Sequence, residues 1–319
     1  MLLRNIILLT ALFILTTTTT RAQKTPPADT CRVGVFVTDL YDFSLSDKSF
    51  NIKFWIWFNY KNDSLDLLGT AELLNAKTYE YSLQVKKPRG NEQYALQKCL
   101  ANIKRDWDIT HFPLDKQVLE VVVESGDLEH DKLVYVADKL HSKYDTSIRI
   151  DGWRINKFEI LSEQRKYATS YGDPELDKHN VSNYSALVFR IHVERESQGL
   201  LFKLFTGVYV SFAISLLVFF MGPENAERFG LLVGALFAAI ANKYIVDEML
   251  PDSTKYTLVD KIHVISFCYI LINLILTVLA YQLHTRNLER LARRLDFIAF
   301  WVVLFSYFLI NYYFIYESL

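Results

Sequence analysis

The sequence predicts an α+β membrane protein, an extracellular antiparallel β-sandwich followed by a four-helix transmembrane bundle. Two observations carry this reading. The second half holds four long apolar stretches, Leu204–Met221, Phe229–Val246, Ile262–Leu283 and Phe297–Tyr316. A bilayer's hydrocarbon core takes about 20 helical residues to cross. Lipid offers no hydrogen bonds to an open backbone, so each stretch reads as a spanning helix. The first half holds a strict alternation at Phe50–Tyr60, where Phe50, Ile52, Phe54, Ile56 and Phe58 point one way. Asn51, Lys53, Trp55, Trp57 and Asn59 point the other way. Period two over that length is a half-buried strand.

In chain order, the first 22 residues join a positive start (Arg4), an apolar run (Ile6–Leu15) and small residues, a secretory-signal pattern. Residues 23–198 then form the extracellular domain, and 199–319 the membrane domain. Weaker strand patterns lie at Val33–Leu40, Thr78–Val85, Val118–Val123, Leu133–Val136, Ile148–Ile160 and Ser185–Val193. Turn residues separate them at Ser46-Asp47-Lys48, Pro88-Arg89-Gly90, Ser125-Gly126-Asp127 and Gly172-Asp173-Pro174, which suggests a sandwich. The helices are expected at about 200–221, 228–250, 261–283 and 297–316. The loop His284–Asp296 carries Arg286, Arg290, Arg293 and Arg294, a cytoplasmic signature that agrees with an external N-terminal domain and C-terminus.

Composition narrows the function. The formal net charge is −1, and no basic patch lies outside that one loop, so nothing points to nucleic acid. There is no Gly-rich phosphate loop and no His-Glu-x-x-His motif, and the seven histidines lack metal spacing. The chain is therefore read as no enzyme, without metal or cofactor. Of the three cysteines, Cys268 reads as a core thiol of the third helix. Cys31 and Cys99 share an oxidising compartment, and whether they pair is open.

The second helix differs from the others. Glu227, Gly230, Gly234, Phe237, Ala241, Tyr244 and Glu248 recur at spacings of three and four, which makes one stripe. Two readings of it stand. It lines a pore, or Gly230-x-x-x-Gly234-x-x-x-Ala238 packs two helices closely. Asn242 and Lys243 interrupt the apolar run, and Asp247, four residues on, can pair with Lys243.

At Phe112-Pro113-Leu114-Asp115-Lys116-Gln117 the chain resembles the Phe-Pro-Phe-Asp-x-Gln motif of the pentameric ligand-gated ion channels, the Cys-loop receptor superfamily. The first hairpin, Arg195 before the first membrane helix, the second helix from Glu227-Arg228 to Leu250-Pro251, and the following Tyr256–Asp260 segment keep the family's order and spacing. Arg105 and Leu119 stand where the loop-closing cysteines would be. Their loss and the short third loop resemble bacterial members, which implies the inner membrane with the sandwich in the periplasm.

The resemblance implies a homopentamer in lipid, opened by a small or cationic ligand bound between extracellular domains, that passes monovalent cations. The stripe would face the axis. Carboxylate rings of Glu227 and Glu248 would favour cations, and Phe237 would close the pore by dewetting. A non-conducting receptor of the same build that signals to a partner is the alternative. The ligand residues implied are Trp55, Trp57, Tyr79, Tyr81, Glu124, Asp127, Tyr167, Tyr171 and Tyr184, since aromatic faces attract cations. These tyrosines equally fit strand-end caps. Asp47, Phe112, Pro113, Asp115, Arg195 and Pro251 would couple the two domains. A static ion pair is the plainer role for Asp115 and Arg195.

Overall fold

The computed structural model describes residues 27–172, 181–248 and 255–318. The signal segment and Pro251 lie outside the described residues.

The N-terminal half is a two-sheet sandwich built from β1 (Asp29–Ser44), β2 (Ser49–Tyr60), β3 (Ala71–Leu73), β4 (Ala76–Arg89), β5 (Glu92–Lys104), β6 (Lys116–Ser125), β7 (Leu133–Ala137), β8 (Lys143–Tyr144), β9 (Trp153–Tyr167) and β10 (Ser182–Arg195). One sheet runs β4-β5-β2-β1-β7, with β8 also on β1; the other runs β3-β6-β10-β9. The β2 alternation holds: its apolar face is sealed in the core, and Trp55 and Trp57 lie half-buried on the opposite face. Phe54 of one sheet meets Phe189 of the other, ring centroids 5.2 Å apart, so the core spans both layers. Two pairings depart from a purely antiparallel sandwich, because β7 and β8 each run parallel to β1.

Cys31 and Cys99 are free, buried thiols. They sit on β1 and β5 with β2 between them; Cys99 pairs with Phe54 while Cys31 falls just before the Arg32–Asn59 pair, so a register offset adds to the two strand spacings and puts them well over about 10 Å apart. A disulfide needs Cα atoms within about 7 Å, so these residues do not pair.

Four helices long and apolar enough to cross a membrane follow. They are α1 (Gln198–Leu216, continued by a 3₁₀ turn to Phe220), α2 (Glu227–Asp247), α3 (Leu258–Thr285) and α4 (Glu289–Glu317). The protein is a multi-pass membrane protein. A Thr257/Asp260 capping box starts α3: Asp260 N–H donates to Thr257 Oγ1, and Thr257 N–H donates to Asp260 Oδ2. Inside the bundle Tyr307 stacks on Phe212 at 3.6 Å and its hydroxyl reaches Ser266 at 2.7 Å. Asn273 donates to Ser215 Oγ at 2.9 Å, which pins α3 to α1.

Two expectations are corrected. α4 begins at Glu289, not near Phe297, so Arg290, Arg293 and Arg294 are helical and the connecting loop shrinks to a few residues. Hydropathy marks only the lipid-immersed part of a helix; here Glu289 pairs with Arg293 one turn on and extends it. Cys268 is exposed, not a core thiol. The buried face of α3 runs through Ile262, Ser266, Ile270, Asn273 and Thr277, and Cys268 falls off it.

That extension of α4 buries Asp296 against Arg228 of α2, Nη2 to Oδ1 2.7 Å, with both side chains almost wholly out of solvent. Breaking a buried pair strands the surviving charge. Arg228→Met is expected to cost about 3–5 kcal/mol, and Arg228→Met/Asp296→Leu to recover most of it. Thermal unfolding of the detergent-solubilised variants checks this.

Candidate functional site

The α2 stripe separates cleanly from the face that packs. Arg228, Leu232, Ala235, Ala239 and Val246 are buried against the other helices. Glu227, Gly230, Gly234, Phe237, Ala241, Tyr244 and Glu248 are all exposed, Phe237 at 67% and Tyr244 at 68%. An added Cβ at Gly230 or Gly234 would meet nothing within 4 Å, so no other helix of the same chain packs against these glycines. The close-packing use of this stripe is therefore not made within the chain. At about 1.5 Å per residue, a helix of 21 residues spans the hydrocarbon core.

Lys243 turns off the stripe. It pairs with Asp247, as its spacing suggests, and also reaches Asp260 at the start of α3 at 2.7 Å. Asn242 Oδ1 lies 3.0 Å from His263 Nε2, and His263 Nδ1 lies 2.8 Å from the Val259 carbonyl. The upper part of α2 is tied to α3 by these polar contacts.

At the base of the sandwich, the Phe-Pro loop between β5 and β6 meets the end of β10. Arg195 donates to Asp115 through two nitrogens, Nε to Oδ1 2.6 Å and Nη2 to Oδ2 3.2 Å. Asp115 also accepts from Gln117 at 2.9 Å. The guanidinium lies 4.0 Å from the Trp153 ring centroid and 5.0 Å from that of Phe112. Phe112 is buried, and the Phe112–Pro113 bond is cis. Asp47 sits at the tip of the first hairpin, bonded to Ser44 and, through its carbonyl, to Lys77. One direct bridge to the membrane half among the described residues is Asp108–Lys255, 3.2 Å, which joins this loop to the segment entering α3. Bonds from Thr110, and Lys255 beside it, hold the Asp108 carboxyl below the usual range. Neither Asp108 nor Lys255 stands out in sequence; only the fold makes them neighbours.

The aromatic candidates fall into three groups. Tyr167, Tyr171 and Tyr184 cluster at the β9–β10 end, with Tyr167 5.9 Å from Tyr184 and 6.2 Å from Tyr171. The Tyr167 hydroxyl is 3.2 and 3.3 Å from the two oxygens of Glu124, which is only 5% exposed. Tyr79 and Tyr81 pack edge to face at 5.4 Å on β4; Tyr79 is open, while the Tyr81 hydroxyl is buried. Trp55 and Trp57 share neither group. Trp55 lies under Lys98, and Trp57 donates to Asp138, itself bonded to His141. Gly34 permits the Trp57 position, since any side chain there would collide with the indole. Asp127 is exposed in the turn after β6.

Glu72 belongs with Glu124 and was not legible in sequence. β3 pairs with β6 so that the two glutamates stand directly opposite on one face. Asn75, just past β3, fixes that register by bonding the backbone of Glu120 and Val122. Burial pushes the Glu124 carboxyl up to about 7; Tyr167 and Arg165 work against the rise, and Glu72 adds to it. Tyr79 feels Glu72, and Tyr184 feels Glu124 and Asp127, so the patch is both aromatic and acidic. Among the described residues no cluster of His, Cys, Asp and Glu fit to hold a metal ion is present.

No protein-family model matches the chain. It is 20% identical over 303 residues to the acetylcholine receptor subunit alpha-type acr-15 of Caenorhabditis elegans. That similarity covers 83% of this chain and 58% of the relative, so the chain spans little more than half the relative's length.

Proposed function

We propose that this chain is a subunit of a homopentameric ligand-gated ion channel of the Cys-loop superfamily, passing monovalent cations along α2. The carrying observation is the unpacked α2 stripe with a carboxylate at each end. In a pentamer its copies would surround one axis, with Glu227 and Glu248 as rings that draw cations and exclude anions. Similarity to a receptor subunit and the sandwich-then-four-helices order support the reading, and neither favours an enzyme.

The ligand would be a small cation held between extracellular domains, with Glu124, Glu72, Asp127, Tyr79, Tyr167, Tyr171 and Tyr184 on one side. Trp55 and Trp57 of the neighbouring subunit would supply the other side. Arg195, Asp115, Phe112, Pro113 and Asp47 would pass the movement to the segment around Pro251, with the Asp108–Lys255 bridge beside them. The sandwich would face the periplasm of a bacterial inner membrane.

A second reading, a receptor of the same build that signals to a partner without conducting, is favoured by one observation. No hydroxyl lies on α2 between Arg228 and Lys243, so nothing there replaces an ion's hydration shell. Glu227→Ala decides for the charge ring. The reversal potential in a salt gradient should shift toward the anion side, and an unchanged potential removes the ring from the pore.

A further inference from the structure

We propose that a proton and the cationic ligand exclude one another at Glu124, so that protons act as competitive antagonists of the channel. This rests on the cationic site described above and specifies its regulation.

The geometry comes first. Glu124 lies on the outward face of the β3-β6-β10-β9 sheet yet is almost wholly buried. Among the described residues its hydrogen bonds come from one neutral phenol, Tyr167. Every element around it presents a group of known sign. From β3 comes Glu72, directly opposite. From β9 come Tyr167 and Arg165, from β10 Tyr184, from β7 Tyr135, and from the segment after β6 Asp127 and Glu129. Arg165 is the one cation of this set. It is shared with other carboxylates, lying 4.0 Å from Glu120 and 3.9 Å from Glu163.

The patch therefore holds more negative than positive charge around a buried carboxylate. Two things relieve that state: a proton on Glu124, or a ligand cation against it. They cannot act together, because the protonated acid no longer attracts the cation. The raised titration of Glu124, at about 7, puts the exchange in the neutral range. The sign follows. Above about pH 7 the carboxylate is already ionised, and affinity is level. Below it each bound cation must expel a proton, so affinity falls about tenfold per pH unit.

The test is isothermal titration of the detergent-solubilised full-length protein with tetramethylammonium, whose charge does not vary with pH. Two buffers of different ionisation enthalpy count the protons. The expected result is tenfold-per-unit weakening below about pH 7, with close to one proton released per cation bound. Glu124→Gln should bind weakly, with neither pH dependence nor proton release. Tyr167→Phe keeps the carboxylate and removes a bond that favours its ionised form. It should move the midpoint above that of the wild type, and it serves if the Gln variant fails to fold.

Equal wild-type affinity at about pH 5.5 and about pH 8.5 would overturn the exchange while leaving the cation site intact. A pH dependence that survives in folded Glu124→Gln would overturn its assignment to Glu124. No wild-type binding at any pH would remove the cationic site itself, and the exchange with it.

Discussion

Arg195→Ala should lower the stability of the assembled protein by about 3–5 kcal/mol and silence it at ligand concentrations that still fill the site. Asp115 is 2% exposed, and Arg195 meets it with two charge-assisted bonds. Removing the guanidinium leaves a buried anion with Gln117 as its remaining side-chain partner among the described residues. Stability alone would make this a static ion pair, so a second readout is needed. Arg195 also packs on Phe112 and Trp153, and through that loop neighbours the Asp108–Lys255 bridge to the membrane half. Loss of the pair should therefore free the loop from β10 and decouple binding from opening.

Arg195→Lys separates the two roles. It keeps the charge but not the planar fork, so stability should recover in part while the response to ligand stays weak. Asp115→Asn in the Ala background should return stability without returning current. Full currents from folded Arg195→Ala would leave the pair a purely structural role.

Local periodicity made part of this molecule readable. β2 shows in sequence because its buried face repeats every two residues, and the four spanning helices show because each is an apolar run long enough to cross a bilayer. β5 escaped for a physical reason: its inward positions are Ala95, Gln97, Cys99, Ala101 and Ile103, too small or polar to register as an apolar face. The start of α4 escaped because its first turns are charged and read as loop. The α2 stripe was legible down to each residue, since spacing alone assigns a helical face.

The remainder of the candidate site depends on register and long-range contact. Glu124 is legible in sequence as an acid beside the aromatic candidates, but its partner Glu72 becomes visible only when β3 is laid on β6. Asp115 and Arg195 are separated by 80 positions, and the family motif, not any local pattern, marked them as a pair. Asp108 and Lys255 lie 147 positions apart in segments without periodicity, where sequence carries no signal of contact. Trp55 and Trp57 sit apart from the tyrosine cluster, against Lys98 and Asp138, a separation that only the fold reveals.

In the proposed channel the exposed face of α2 would surround a pore narrowed by Phe237. The ring is 67% exposed in the single subunit and has no hydroxyl beside it on the helix, so an assembled ring of phenylalanines would be dry. A dry constriction blocks ions because each must shed its hydration with nothing to replace it. Phe237→Ser shortens the side chain and adds a hydroxyl, which should let water and then cations through. The substitution lies off the packed face and should leave assembly unchanged.

The measurement is current through planar bilayers holding purified wild type or Phe237→Ser, with no ligand added. The wild type should be silent, and the variant should conduct cations continuously. A folded, pentameric Phe237→Ser that stays silent would contradict this pore and leave the non-conducting receptor as the better description.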